Sequence, residues 1–299
     1  MAPGPPTGRA GVPEPRGGPV NGVAIALGLA SAACFAVSSV LEQQAAKREE
    51  STRTIDPRLL FRLAHRRLWL LGWIPDGIGT ILQALALRFG ALALVEPLLV
   101  SGLFMAIPLE AAIERRRPHR RDLLVVAMGV AGLTAFLVTA NPRGGVEEPT
   151  TLGWVGVGAA VGAIVAVCLL VAWRTQDATR GLMLGIATGL LYAVAAALLK
   201  SVTEKIPDDL TGVVTNWHLY ALLVIGGAAL TLNQNAYQGG PIAAPLTAIA
   251  LLDPFTSVLI GVTAFEEELS LEGTRLVVGL LGVVVMSVGI WLARRTRSS

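Results

Sequence analysis

Charge is scarce in this chain: Asp, Glu, Lys and Arg make up 15% of its 299 residues, too few to hydrate the surface of a soluble domain of this length. Cysteine is nearly absent. Cys34 and Cys168 each lie inside an apolar run, where a free thiol behaves as a small hydrophobe, so they report nothing about redox compartment. The three histidines, His65, His119 and His218, fall at loops or run ends far apart in sequence. No HExxH, CxxC or GxSxG arrangement and no Walker loop occurs, so neither catalysis nor ATP drive within this chain has support. The chain is expected to be no enzyme and to carry no cofactor.

What is abundant is apolar length. Hydrophobic residues are 53% of the chain and the mean hydropathy is +0.63, values that belong in a bilayer. A helix needs about 20 residues to cross about 30 Å of hydrocarbon. Nine stretches qualify, over roughly 21–46, 68–89, 91–113, 121–140, 151–173, 181–202, 217–238, 241–264 and 273–293. The fold class is therefore all-α membrane protein with about nine transmembrane helices. Residues 1–20 hold eleven Pro or Gly and cannot bury enough apolar surface to order themselves, so a disordered tail is expected. The first run is too long for the core of a cleaved signal peptide and is read as retained.

The net charge is +3 with a pI near 9.2, but the bases lie in short segments between apolar runs, as orientation signals do, and nucleic acid is excluded as a partner. Most Lys and Arg, including Arg62, Arg66, Arg67 and the run Arg115 to Arg121, fall on one side of the predicted topology. That side is expected to be cytoplasmic, with the amino terminus outside and the carboxyl terminus inside. Trp69, Trp73, Trp154, Trp173, Trp217 and Trp291 all sit near run ends, where an amphipathic ring prefers the headgroup region.

The chain also repeats itself. A shift of 150 residues places Gly90 on Gly240, Gly129 on Gly279 and Gly132 on Gly282. More specifically, Glu96-Pro97 leads through an apolar helix to Glu110, and Asp253-Pro254 leads through another to Glu267, with thirteen residues from Pro to Glu both times. On the predicted topology the segments after Glu110 and Glu267 face opposite sides. The halves would then be inverted, as in many carriers with a midplane site. Residues 21–140 form a first repeat of four helices, 151–173 a linking helix, 181–293 a second repeat of four, and 294–299 a basic tail.

An acid-Pro pair, an apolar helix, a terminal Glu and then a Gly-rich helix, occurring twice, resembles the drug/metabolite transporter superfamily with its EamA-type repeats. Within it, LEQQAAKR ending the first run, LWLLGW opening the second and ALALVEPLLVSG in the third are similar to the NIPA-type magnesium-transporter branch. The resemblance spans roughly residues 20–293 and implies a plasma-membrane, multi-pass carrier; a homodimer is left open. The second half departs from the usual Gly-Glu ending, reading Phe265-Glu266-Glu267-Glu268, so which of Glu266, Glu267 and Glu268 is the family glutamate stays open.

An acid inside a membrane costs about 2.5–3.5 kcal/mol on insertion scales and needs a cavity or a partner. Asp76 lies in Pro75-Asp76-Gly77-Ile78-Gly79, with Thr80 and Gln83 four and seven residues on, on one helical face. Glu96 and Asp253 each precede a proline, Asp253 near the midplane and Glu96 nearer the outer surface. Pro75, Pro97 and Pro254 are candidate helix breaks that would expose carbonyls. Asp76, Glu96 and Asp253 are the candidates for ion or proton coupling. Asn233, Gln234, Asn235, Tyr237 and Gln238 crowd the end of the seventh run; with Asp76, Thr80 and Gln83 they are the candidate substrate-binding set, and helix-to-helix bonding is their plainer role. Glu110, Glu114, Glu266, Glu267 and Glu268 are read as solvated or capping residues, Lys200 as a snorkelling or paired cation, and Gly153, Gly156, Gly158 and Gly162 as a close-packing stripe.

The function expected is alternating-access transport of a small polar metabolite, with a lipid bilayer and a small molecule or ion as partners. The alternatives are a Mg²⁺ or other divalent-cation transporter, to which Asp76, Glu96, Asp253 and nearby carbonyls could supply oxygen ligands beside retained waters, and a non-transporting membrane scaffold.

Overall fold

The computed structural model describes residues 22–47, 67–113, 115, 120–175, 177–205, 214–236 and 243–296. Among them are α1 (Gly22–Lys47), α2 (Arg67–Phe89), α3 (Leu92–Leu99), α4 (Ser101–Ile113) and α5 (Arg120–Ala140). These are followed by α6 (Thr151–Arg174), α7 (Asp177–Lys205), α8 (Trp217–Ala236), α9 (Ala243–Thr263) and α10 (Thr274–Thr296). The expected tail at 1–20 lies outside the described residues, as do Tyr237 and Gln238; of the expected basic tail 294–299, residues 294–296 continue α10 and the last three lie outside the described residues.

Runs apolar on every face become helices because only a helix satisfies all its backbone groups internally when no water is at hand. Seven helical segments among the described residues are long and apolar enough to cross a membrane, α3 and α4 counting together as Leu92–Ile113. This is the make-up of an integral membrane protein. Of the nine expected runs, Trp217–Asn233 is a shorter apolar helix, and Arg67–Phe89 is a full-length helix that carries Asp76 and Arg88 inside it.

The prolines interrupt less than expected. Pro75 and Pro254 sit inside unbroken helices. Pro97 lies within α3, and the interruption comes three residues later at Val100, which keeps right-handed helical angles (φ −59°, ψ −26°) while its N–H turns to the Pro97 and Leu98 carbonyls. Glu96 and Asp253 are therefore helical themselves. Backbone hydrogen bonding has no competitor in a medium without water, which holds the helix where proline alone would disfavour it.

The two halves pack in the same order. α1 lies on α2, α3 and α4, and α4 on α5; α7 lies on α8 and α9, and α9 on α10. α6 leans on α7, while α5 against α10, α9 against α3 and α2 against α7 join the halves. The α5–α10 seam is glycine-made: a Cβ on Gly132 would stand 2.6 Å from the Gly282 carbonyl oxygen, and one on Gly282 would stand 2.8 Å from that of Gly132. The stripe on α6 behaves otherwise. Gly156, Gly158 and Gly162 have open space where a Cβ would go, and α6 meets the core through Val157, Val161, Cys168 and Ala172 instead.

The chain reverses at each helix end, so the loops 141–150 and 264–273 share one end of the bundle. They are stitched together by Arg143 and Glu268, which exchange backbone bonds of 3.0 and 3.3 Å, by Val146 N–H to the Phe265 carbonyl (2.7 Å) and by Ser270 N–H to the Ala140 carbonyl (2.7 Å).

Gly132→Leu forces a side chain into the Met286 and Gly282 backbone. It is expected to destabilise by about 1–3 kcal/mol or more. Gly156→Leu, facing open space, is expected to stay within about 0.5 kcal/mol. Thermal unfolding of the two variants in one detergent checks the contrast.

Candidate functional site

Helix α3 begins without a local cap. Its N-cap residue is Ala91, which has no side-chain acceptor, although the first turn of any helix leaves N–H groups unsatisfied. The acceptor arrives from far along the chain. Glu267 Oε1 accepts from Leu92 N–H at 2.6 Å and Glu267 Oε2 from Ala93 N–H at 2.8 Å. Oε1 also receives Lys200 Nζ of α7 at 2.6 Å, with side-chain exposures of 5% for Lys200 and 0% for Glu267. A carboxylate that caps a positive helix end and pairs with an ammonium has its charge compensated on both sides.

Local backbone geometry aims this carboxylate inward. After α9, Ala264 and Phe265 both return their N–H groups to the Ile260 carbonyl, and Glu267 N–H returns to that of Gly261 at 2.9 Å. Between them Glu266 takes a positive φ of 55°, the left-handed turn that commonly ends helices but seldom falls on a glutamate. Gly261 is needed because a Cβ there would collide with the Glu267 carboxylate. Of the three consecutive glutamates, Glu266 and Glu268 are exposed and Glu267 is buried. The expectation of solvated glutamates is corrected here, since both Glu267 and Glu110 are buried, while that of a capping residue holds for Glu267.

One turn beyond the capped end stands Glu96, 4% exposed. Gln83 of α2 donates to its Oε1 from Nε2 at 2.8 Å. Asp253 lies on α9, which packs against α3, within reach of the Glu96 charge. Glu96 is buried although it stands only five residues into the Leu92–Ile113 segment. Ser257, a turn along α9, lies beside Asp253 but outside hydrogen-bond geometry; its Oγ and Asp253 Oδ1 are both buried without a hydrogen-bond partner. Gln83, Glu96, Asp253 and Ser257 form a polar cluster built from α2, α3 and α9.

The remaining candidates are placed variously. Asp76 is half-buried on the Gln83 face of α2, and exposed Thr80 donates its hydroxyl back to the Asp76 carbonyl at 3.1 Å. Asn235 spends its amide on its own helix, donating to the Thr231 carbonyl at 2.8 Å. Asn233 Oδ1 is buried without a hydrogen-bond partner, but its helix packs on α7 and not on α9. The side chain of Gln234, like Tyr237 and Gln238, lies outside the described residues. No group of three His, Cys, Asp or Glu able to hold a metal ion occurs among the described residues.

Sequence reading named Glu267 as the end of the second repeat and as a solvated or capping residue, read Lys200 as a snorkelling or paired cation, of which the pairing is what the structure has, and did not single out Ser257. The thirteen-residue spacing from Pro254 to Glu267, matching Pro97 to Glu110, was the signal available for Glu267. Nothing in the sequence marks Ser257 except its place one turn after Asp253.

Gln83→Leu strips the donor from a buried carboxyl group and is expected to cost about 1–3 kcal/mol. Asn235→Ala, which removes only an exposed bond within one helix, is expected to stay within about 0.5 kcal/mol. Thermal unfolding of the two variants in detergent reads both.

No family model and no solved structure matches the chain. It is similar to an uncharacterized protein of Corynebacterium glutamicum, 23% identical over 274 residues that make up 90% of this chain and 95% of that protein. The likeness thus covers most of both chains.

Proposed function

We propose that the chain is a secondary carrier of the drug/metabolite transporter type, which moves a small polar solute through a path between its two halves. The observation that carries this reading is the meeting of Glu96 and Asp253. They occupy corresponding places in the sequence repeat and lie on α3 and α9, which pack against each other, within reach of each other's charge. Two carboxylates in a low-dielectric interior repel each other, and Lys200 is committed to Glu267, so charge balance calls for a proton or a cationic group at the pair. A site that must gain and lose positive charge is what coupled transport needs. The repeated packing order of the helices and the glycine seam between α5 and α10 support two halves that rock about a shared contact.

The Asp76, Thr80 and Gln83 face of α2 gives a polar line that runs from the middle of that helix to the pair. A magnesium site has less support. Mg²⁺ takes octahedral oxygen coordination, and two carboxylates with an amide and a hydroxyl suit a proton or a singly charged group better. A pure scaffold leaves the unpartnered Asp253 Oδ1 and Ser257 Oγ without a purpose. The one-sided distribution of Lys and Arg supports an amino terminus outside and a carboxyl terminus in the cytoplasm, and the family resemblance supports a plasma membrane.

Purified protein in liposomes, loaded with a panel of metabolites and ions under a pH gradient, tests the reading. Wild type is expected to move at least one solute, and Glu96→Gln and Asp253→Asn to lose about 100-fold or more of that rate, as removal of a pathway charge does, while remaining monodisperse. Equal leak for every solute in wild type and both folded variants sinks the carrier.

A further inference from the structure

We propose that the Lys200–Glu267 pair, together with the Glu267 cap on α3, is the latch that closes one end of the path to the Glu96–Asp253 pair; the inference rests on the carrier reading. Glu267 ties three helices at a single carboxylate: α9 through the backbone of its own turn, α3 through Leu92 and Ala93, and α7 through Lys200. The tied end of α3 is one turn from Glu96. A solute reaching the acid pair from this end has to part α3 from α7 and α9, and the bonds that break first are those of Glu267.

An aromatic layer lies over the latch. The Phe265 ring stands 4.6 Å from Lys200 Nζ, Trp154 packs edge-on to Phe265 (6.2 Å between centroids) and to Trp217 (5.7 Å), and His218 completes the group. Lys205 and Glu148 pair across the same layer at 2.9 Å. The ion pair, the cap and the aromatic layer all lie at the Glu267 end, whereas Asp76, half-buried, and Thr80, exposed, lie near the middle of α2.

The chemistry suits a latch better than a fixed strut. An apolar seal exposes hydrocarbon when it opens, and the whole hydrophobic term opposes it. A carboxylate, an ammonium and a helix N-terminus regain water on opening, so broken bonds are replaced by hydration and the two states stay close in free energy. Glu267 also holds α3 only through groups that no local residue can satisfy, since Ala91 offers no cap. Release of Glu267 frees the helix that carries Glu96.

The test reads access and needs no solute. In a Cys34→Ala, Cys168→Ala background, Ser257→Cys reports on the buried cluster, and Gly144→Cys, exposed with open space around it, identifies the membrane face to which this end belongs. A charged, impermeant maleimide is applied to right-side-out and inside-out vesicles. With Glu267→Gln, labelling of Ser257→Cys from the Gly144 face is expected to be about ten-fold faster, following the larger open population. Lys200→Arg, which keeps the pair, is expected to label as slowly as the parent. Should Glu267→Gln not fold, Lys200→Gln takes its place, since it leaves the α3 cap intact. An unchanged rate in a folded variant overturns the latch, and so does an equal rise from both faces. Failure of the liposome assay with a positive result here would remove the carrier and leave the latch as a gated passage, so the two readings fail separately.

Discussion

The fold depends on one carboxylate satisfying a helix that cannot satisfy itself. α3 starts at an alanine in the interior of an apolar bundle, where unmet N–H groups cost far more than in water. Glu267, 175 residues away from Leu92, supplies the acceptors, and Lys200 balances its charge. Remove this arrangement and the helix bearing Glu96 has no fixed start. The short α3, its crossing with α9, and the confrontation of the two acids follow from that anchorage.

Small residues decide how closely the rest can approach. Gly261 makes room for the Glu267 carboxylate, and Gly132 with Gly282 lets α5 and α10 meet backbone to backbone. In a bilayer there is little hydrophobic drive between helices, so such close contact and a few polar bonds carry the association. Where glycines do not face a neighbour, as on α6, they contribute nothing of the kind within the chain.

Polarity is distributed unevenly along the bundle. One end is tied by the 141–150 and 264–273 loops, the buried ion pair and an aromatic layer. The interior holds Gln83, Glu96, Asp253 and Ser257 with unsatisfied oxygens. Near the middle of α2, Asp76 is half-buried beside an exposed Thr80.

The apolar runs by themselves determined that the chain is helical and suited to a membrane, because about 20 apolar residues admit few other structures in hydrocarbon. Run ends were legible within a few residues, and Gln83, Glu96 and Asp253 stood out because acids and amides are costly there. What the sequence could not show was partnership. That Glu267 rather than Glu266 or Glu268 turns inward depends on a left-handed turn after α9 and on the space above Gly261. That Gln83 reaches Glu96, while Asn235 bonds its own helix, depends on which helices cross. Contacts between residues far apart in the chain exist only once helices pack, so tertiary structure alone decided which polar groups form a site and which merely sit in a span.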